Sequence, residues 1–293
     1  MSSPSRERMQ SPDYQLYNAT LVWKRAIHPG LLRLRVRPDD VLSHARPGQY
    51  ITLGLGAWEA GGLAPEAGGL ARTHFSLSSP ILDPETGRLL APGTERDLEL
   101  YLSLDRSPLT RCLFGKQPGD RLWIDPLPAG EYELGRLSGD ENLLFLATGT
   151  GEAPHNRMIL HLLRTGHRGR IASVVSCRQR RDLGYRDVHE RLTTLFPRYT
   201  YVPITTRDTP GPRRHIQDLL LCGELEREIG FALHPEQSHV YVCGHPAMVG
   251  RPVEKSGRRT YPAPSGVIEI LERRHGFRAA HPDGSGTLHF ETF

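Results

Sequence analysis

The segment Leu143–Pro154, LLFLATGTGEAP, decides how the second half of this chain is read. Leu143–Ala147 is a short unbroken apolar run, the pattern of a strand buried on both faces. It runs into Gly149-Thr150-Gly151, and Pro154 fits the first turn of a helix that begins at once. Glycines let a backbone approach a pyrophosphate closely, and a helix N-terminus offers free N–H groups and a favourable dipole. A tight turn with no ligand has the same composition, so this segment alone leaves both readings open.

Downstream, Met158, Ile159, Leu162 and Leu163 recur at helical spacing and Gly166 closes the segment. The alternation continues: Ile171–Ser176 reads as a strand, Asp187–Leu195 as a helix and Tyr201–Thr205 as a strand. His215–Leu221 reads as helical, His239–Cys243 as extended, Gly266–Arg274 as helical and Thr287–Phe290 as extended. Strands alternating with helices predict an α/β domain on a doubly wound, mostly parallel sheet.

Upstream the periodicity is different. Ala19–Arg25 and Leu31–Val36 alternate apolar and polar residues around the turn His28-Pro29-Gly30. Gln49–Leu53, Phe75–Ser78, Leu98–Leu104 and Arg121–Ile124 follow as further short strands. Many short strands with Gly/Pro turns predict an antiparallel β-barrel. The two domains are therefore expected at residues 18–138 and 139–293, with Gly54–Leu70, rich in Gly and Ala, as a surface loop insertion.

The 293 residues carry a net charge of +4. A mildly basic balance attracts nucleic acid, membrane surfaces or acidic proteins without choosing among them. The arginines are scattered, with no basic run interleaved with aromatics, so nucleic-acid binding is not expected. The four cysteines stand 21 or more residues apart without a CxxC pair, which argues against a zinc ribbon or a cysteine-held iron–sulfur cluster. The histidines form no HExxH or comparable ligand set, and no metal is expected. Met1–Asp13 has no apolar core like that of a secretory signal, and no apolar run approaches the ~20 residues of a membrane span. These observations predict a cytoplasmic monomer that does not enter membranes.

The order of three motifs resembles the ferredoxin–NADP reductase family, most nearly its bacterial ferredoxin (flavodoxin) branch. They are an RxxFSLSS segment at Arg72–Ser79, the ATGTG-x-AP segment at Ala147–Pro154, and Cys243-Gly244-His245-Pro246-Ala247-Met248 after a late strand. The resemblance runs from about Asn18 to Phe293. It implies that the barrel binds FAD and the α/β domain NADP(H).

By this resemblance Arg72 sits on the FAD pyrophosphate, Phe75 against the isoalloxazine and Ser76 near its reactive edge, with Ser78 and Ser79 completing the segment. The family has one residue between the arginine and the aromatic; here Thr73 and His74 both stand there, and His74 competes for part of the arginine's work. A surface or turn histidine is the other reading of His74. Ser107–Arg111 resembles the family's pyrophosphate loop, with Thr110 as the matching hydroxyl. Tyr101 falls where a strand passes beside the flavin, or in the plain barrel core. Pro128-Ala129-Gly130 matches a turn that borders the nicotinamide side.

In the second domain Thr148, Gly149, Thr150 and Gly151 match the NADP pyrophosphate turn, and Cys243 and Gly244 the pair that approaches the nicotinamide. Glu152 stands where the family has an apolar residue; a carboxylate repels phosphate, so its side chain is expected to turn away. Arg178, Arg207 and Arg214 lie where relatives hold the 2′-phosphate, and no acid directly follows the strand at Ile171–Ser176. Solvated surface arginines are the alternative. Phe293 matches an aromatic that covers the isoalloxazine, and Glu291 offers a carboxylate near it. Ser76, Cys243 and Glu291 are thus the candidates at the reacting centre.

The resemblance implies hydride transfer between nicotinamide C4 and flavin N5, followed by single-electron exchange with a separate ferredoxin or flavodoxin. Two alternatives remain: a reductase serving an oxygenase or reducing free flavin or quinone, and a redox-inactive relative that binds flavin or nucleotide.

Overall fold

The computed structural model describes residues 16–42, 45–59, 69–83, 86–92, 96–208, 213–255, 258–281 and 285–293. Six strands close the barrel: β1 (Ala19–His28), β2 (Leu31–Pro38), β3 (Tyr50–Gly56), β4 (Leu70–Ser78), β5 (Leu98–Ser103) and, after helix α1 (Pro108–Gly115), β6 (Arg121–Ile124). Their order around the barrel is β1-β2-β5-β4-β3-β6, every pair antiparallel. Alternate residues point inward, so Leu21, Leu34, Ile51, Leu53, Leu77, Leu100 and Ile124 form one apolar core.

Beyond this barrel come β7 (Asn142–Thr148), α2 (Glu152–Arg164), β8 (Ile171–Cys177), α3 (Arg186–Leu195) and β9 (Tyr199–Thr205). The chain continues through α4 (Ile216–Leu221), α5 (Glu224–Ile229), β10 (Ser238–Gly244), α6 (Pro246–Val249), the hairpin β11 (Val253–Lys255) and β12 (Arg258–Thr260), α7 (Val267–Arg274) and β13 (Leu288–Thr292). The main sheet runs β13-β10-β7-β8-β9, all parallel. The chain leaves β7 toward β8 and β9, then returns to the other side of β7 for β10 and β13. The strand order therefore reverses between β7 and β10, the crevice where such sheets take ligands. Helices cover both faces, with Leu146, Val174, Val242 and Leu271 in one core layer and Phe145, Met158, Ile159 and Tyr241 in the other.

The structure revises several expectations. Ser107–Arg111 is not a loop: Pro108 opens α1 and Leu109, Thr110 and Leu113 are buried. Helix α5 and the β11–β12 hairpin were not foreseen; strands of three residues carry too little periodicity to be read. Of the expected 54–70 insertion, Gly54–Gly56 completes β3 and Leu70 begins β4; residues 60–68 lie outside the described residues. The two halves also share packing: Ile81 and Leu82, from the β4–β5 connection, and Tyr132, after β6, belong to the cluster of Phe145 and Met158.

Candidate functional site

At the switch point, β7 and β10 deliver two glycine segments to the same place. Gly149–Gly151 forms one turn of 3₁₀ helix leading directly into α2. A Cβ on Gly151 would lie 2.7 Å from the carbonyl carbon of Cys243 and 3.0 Å from Gly244 Cα, so only glycine allows this approach. Gly244 has φ +143°, and a Cβ there would strike Thr148 Oγ1. That hydroxyl accepts a hydrogen bond from the His245 N–H at 2.8 Å. Thr148, Gly149, Thr150, Gly151, Cys243 and Gly244 thus come together at the N-terminus of a 13-residue helix.

Cys243 is fully buried and pairs in register with Glu291 on β13. Burial, with the Glu291 carboxylate as a smaller contribution, pushes the thiol well above its ordinary value. Burial likewise raises the carboxyl of Glu291. The buried Tyr132 feels both groups and hydrogen-bonds His155 Nε2 at 2.7 Å. Phe293 is exposed at the end of this strand.

Glu152 does turn away from the glycine turn. It is buried, with Oε1 2.9 Å from His189 Nε2. Arg178 and Arg207, both exposed, follow β8 and β9, and the Arg207 N–H donates to the Arg178 carbonyl at 2.9 Å. The sheet therefore brings these two arginines side by side at its C-terminal edge. Arg214 is engaged instead with Glu224.

On the barrel the alternation of β4 overturns one assignment. Ala71, Phe75 and Leu77 belong to the core side, while Arg72, His74 and Ser76 share the opposite face. Phe75 packs on the barrel core and cannot lie against a ligand on that outer face. His74 can: it is exposed, its ring lies 4.8 Å from that of Tyr50, and its Nδ1 stands 3.0 Å from Thr52 Oγ1. Arg72 lies over Trp123 at 4.6 Å. Gly54 permits this, since a Cβ there would meet Trp123 at 2.9 Å and the Arg72 stem at 3.6 Å. Tyr50, Thr52 and Trp123 were missed; their period-two spacing beside β4 becomes visible only once strand partners are known.

Four further residues are buried and not open to a ligand. Ser78 is buried against Tyr185 Oη at 2.8 Å and Asn156 Nδ2 at 3.3 Å. Ser79 is buried too. Tyr101 packs edge-on against Tyr185 and bonds the Asp182 carbonyl and the Gly184 N–H. Ser78 and Tyr101 lie on the outer side of the barrel where the second half covers it, and there they join the two halves. Thr110 is buried in α1, so its hydroxyl is not presented as on an open loop.

Among the described residues no group of three or more His, Cys, Asp or Glu could hold a metal ion, and no helix is long and apolar enough to cross a membrane.

A barrel with a basic and aromatic outer face, followed by a parallel sheet with a glycine turn at its switch point, defines a two-domain architecture whose second half is built to approach a ligand closely. Residues 145–252 match the family model of the oxidoreductase NAD-binding domain. The chain is 32% identical over 158 residues to the flavodoxin/ferredoxin–NADP reductase of Escherichia coli, covering 52% of this chain and 63% of that protein. It is 28% identical over 243 residues to that of Rhodobacter capsulatus, covering 80% and 81%. The match thus spans a little under two thirds of the E. coli protein. A ferredoxin NADP+ reductase from Neisseria gonorrhoeae, solved with bound FAD and NADP, superposes with a TM-score of 0.70 at 19% identity, covering 94% of this chain and 97% of that one. The chain is thus similar in sequence to flavodoxin/ferredoxin–NADP reductases, and shares the fold of a solved ferredoxin NADP+ reductase.

Proposed function

We propose that this protein is an FAD-dependent NADP(H) oxidoreductase that exchanges electrons with a separate one-electron carrier, a ferredoxin or flavodoxin. The observation that carries the reading is the meeting of Gly149–Gly151 with Cys243-Gly244, a cradle that a single Cβ would fill. The names of the E. coli and Rhodobacter relatives support the choice of cofactor and carrier. The domain division is proposed between residues 138 and 139, in the segment joining β6 to β7.

The outer barrel face fits a flat ring with an attached pyrophosphate. His74 and Tyr50 offer ring faces, Arg72 a fixed charge and Ser76 a hydroxyl on the same side. Thr148, Gly149, Thr150 and Gly151 would hold the NADP pyrophosphate by backbone N–H groups, and Arg178 and Arg207 the 2′-phosphate. Cys243, Gly244 and Glu291 would border the nicotinamide, with Phe293 at the rim. When bound, the two cofactors supply hydride transfer. The chain's part is to orient the rings and keep Cys243 a neutral thiol. The net charge of +4 suits an acidic carrier.

The visible spectrum of the purified protein tests this. Flavin bands that bleach much faster with NADPH than with NADH under anaerobic conditions are expected. Protein that stays colourless after incubation with FAD would end the proposal.

A further inference from the structure

We propose that the outer face of the ribbon β11–β12 is where the separate, acidic electron carrier docks. This rests on the carrier reading above and names the surface and the residues that meet the partner. The family-model match ends at residue 252, and β11 begins at Val253. The ribbon is therefore a feature for which that match does not account.

Its position follows from the sheet. Strand β10 ends in Cys243-Gly244, and α6 carries the chain from there to Gly250. A Cβ on Gly250 would lie 2.5 Å from Gly266 Cα, so the two glycines close the base of an excursion running from 251 to 265. The ribbon thus leaves the domain at the C-terminal end of β10, the end that carries the proposed nicotinamide site.

Alternation gives the ribbon two unlike faces. The residues opposite each other are Val253 and Thr260, Glu254 and Arg259, and Lys255 and Arg258. The middle pair is fastened to the domain. Arg259 donates to Glu272 of α7 at 3.0 Å and to Glu254 at 3.3 Å, and the Tyr261 hydroxyl donates to Glu272 at 2.5 Å. Such an anchor is needed, because a two-stranded ribbon is marginal by itself. The other face carries Val253, Lys255 and Arg258, all exposed, and the exposed Arg251 stands at its base.

The nearby carboxylates are committed: Glu254 and Glu272 to Arg259, and Glu269 to Arg273. Among the described residues, no carboxylate pairs with Arg251, Lys255 or Arg258. Lys255 and Arg258 stand directly opposite each other, and like charges so placed destabilise a strand pair. The arrangement does nothing for the fold, whereas a carboxylate-rich surface laid over it would neutralise the repulsion. Val253, 54% exposed and two residues from both Arg251 and Lys255, adds an apolar contact. An apolar centre with a polar rim is the make-up of a protein–protein interface. Nucleic acid suits this face less well, since it holds no aromatic side chain on which a base could stack.

The test uses the full FAD-loaded chain in three forms. They are the wild type, the triple variant Arg251→Gln, Lys255→Gln, Arg258→Gln, and the triple variant with Glu at the same positions. NADPH-driven reduction is followed at low and high salt with a small acidic two-iron ferredoxin, a flavodoxin and uncharged menadione as acceptors. At low salt kcat/KM for the two proteins should fall on the order of tenfold in the Gln variant, and further in the Glu variant, the range over which surface charge steers association. Added salt should slow the wild type and not the Glu variant. Menadione reduction should stay unchanged, which also shows that the variants are folded. Variants that reduce both proteins as fast as the wild type would overturn the proposal and leave the carrier reading intact. An equal fall with menadione would overturn it as well, making the ribbon a support of the reacting centre. A wild type that reduces menadione but neither protein would overturn both.

Discussion

The hydroxyl of Tyr185, in the nucleotide-binding half, donates to Glu99 Oε1 in the barrel at 2.8 Å. The same carboxylate accepts from Arg33 and Arg35, each at 2.8 Å, and Arg33 lies over the Tyr185 ring at 3.9 Å. Glu99 and Tyr185 are each 1% exposed and Arg33 is 5% exposed. A buried ionic network therefore joins the halves, and its worth lies in its completeness, because an unpaired buried charge is costly.

Glu99→Ala should accordingly destabilise the protein by about 3–5 kcal/mol, since it strands Arg33. Tyr185→Phe keeps the ring under Arg33 and should cost only about 1–3 kcal/mol for the groups left unsatisfied. Urea unfolding monitored by circular dichroism compares them. Equal losses would mean that the charge is not the costly element.

Gly151→Ala places a Cβ against the Cys243 carbonyl, which is backbone and cannot swing aside. The expected result is at least about tenfold weaker binding of NADP+ by calorimetry, since one of the approaching segments must move away from the ligand. Unchanged affinity would place the pyrophosphate elsewhere.

Arg178 and Arg207 are neighbours at the sheet edge. Replacing both by Ala should lower kcat/KM for NADPH by about 10–100-fold, the loss of one to two charge-assisted contacts, and leave that for NADH nearly unchanged. Arg214→Ala should do less, because Arg214 is held by Glu224. A parallel fall with both nucleotides would argue for a general structural role.

His289 is stacked on Tyr241 at 4.3 Å, and its pKa is pushed down to about 3 by burial and, secondarily, by His239. Its folded value lies below the unfolded 6.5, so its contribution is present above pH 6.5 and lost as pH falls toward 3. His155, pushed down to about 3 chiefly by burial, acts in the same direction. His289→Phe keeps the stacking and should flatten the decline of Tm between pH 6.5 and 4.5. A decline as steep as in the wild type would assign the acid sensitivity to other groups.

Much of the fold was legible in advance. The unbroken run at Leu143–Ala147, the glycine turn and Pro154 describe a local unit whose strand, turn and helix are neighbours in the chain. The unit appears as read, and so does the inward turn of Glu152. The segment read as flavin-binding was legible only in outline. Motif spacing put Phe75 on the ligand, whereas β4 alternates strictly and turns Phe75 inward, leaving His74 outward beside Arg72. The burial of Ser78 and Tyr101 was not legible, because their partner, Tyr185, stands 107 and 84 positions away.

The amino-acid sequence by itself determined the two periodicities, and hence a barrel followed by a parallel sheet. It also determined the glycines at the strand–helix turn, because period and backbone permissiveness are local properties. Tertiary structure alone decided which face of β4 is open and that Arg178 and Arg207 stand together. It also closed Arg33, Glu99 and Tyr185 into one buried network. Those outcomes depend on which strand lies beside which, and strand partnership arises from long-range packing that no local spacing encodes.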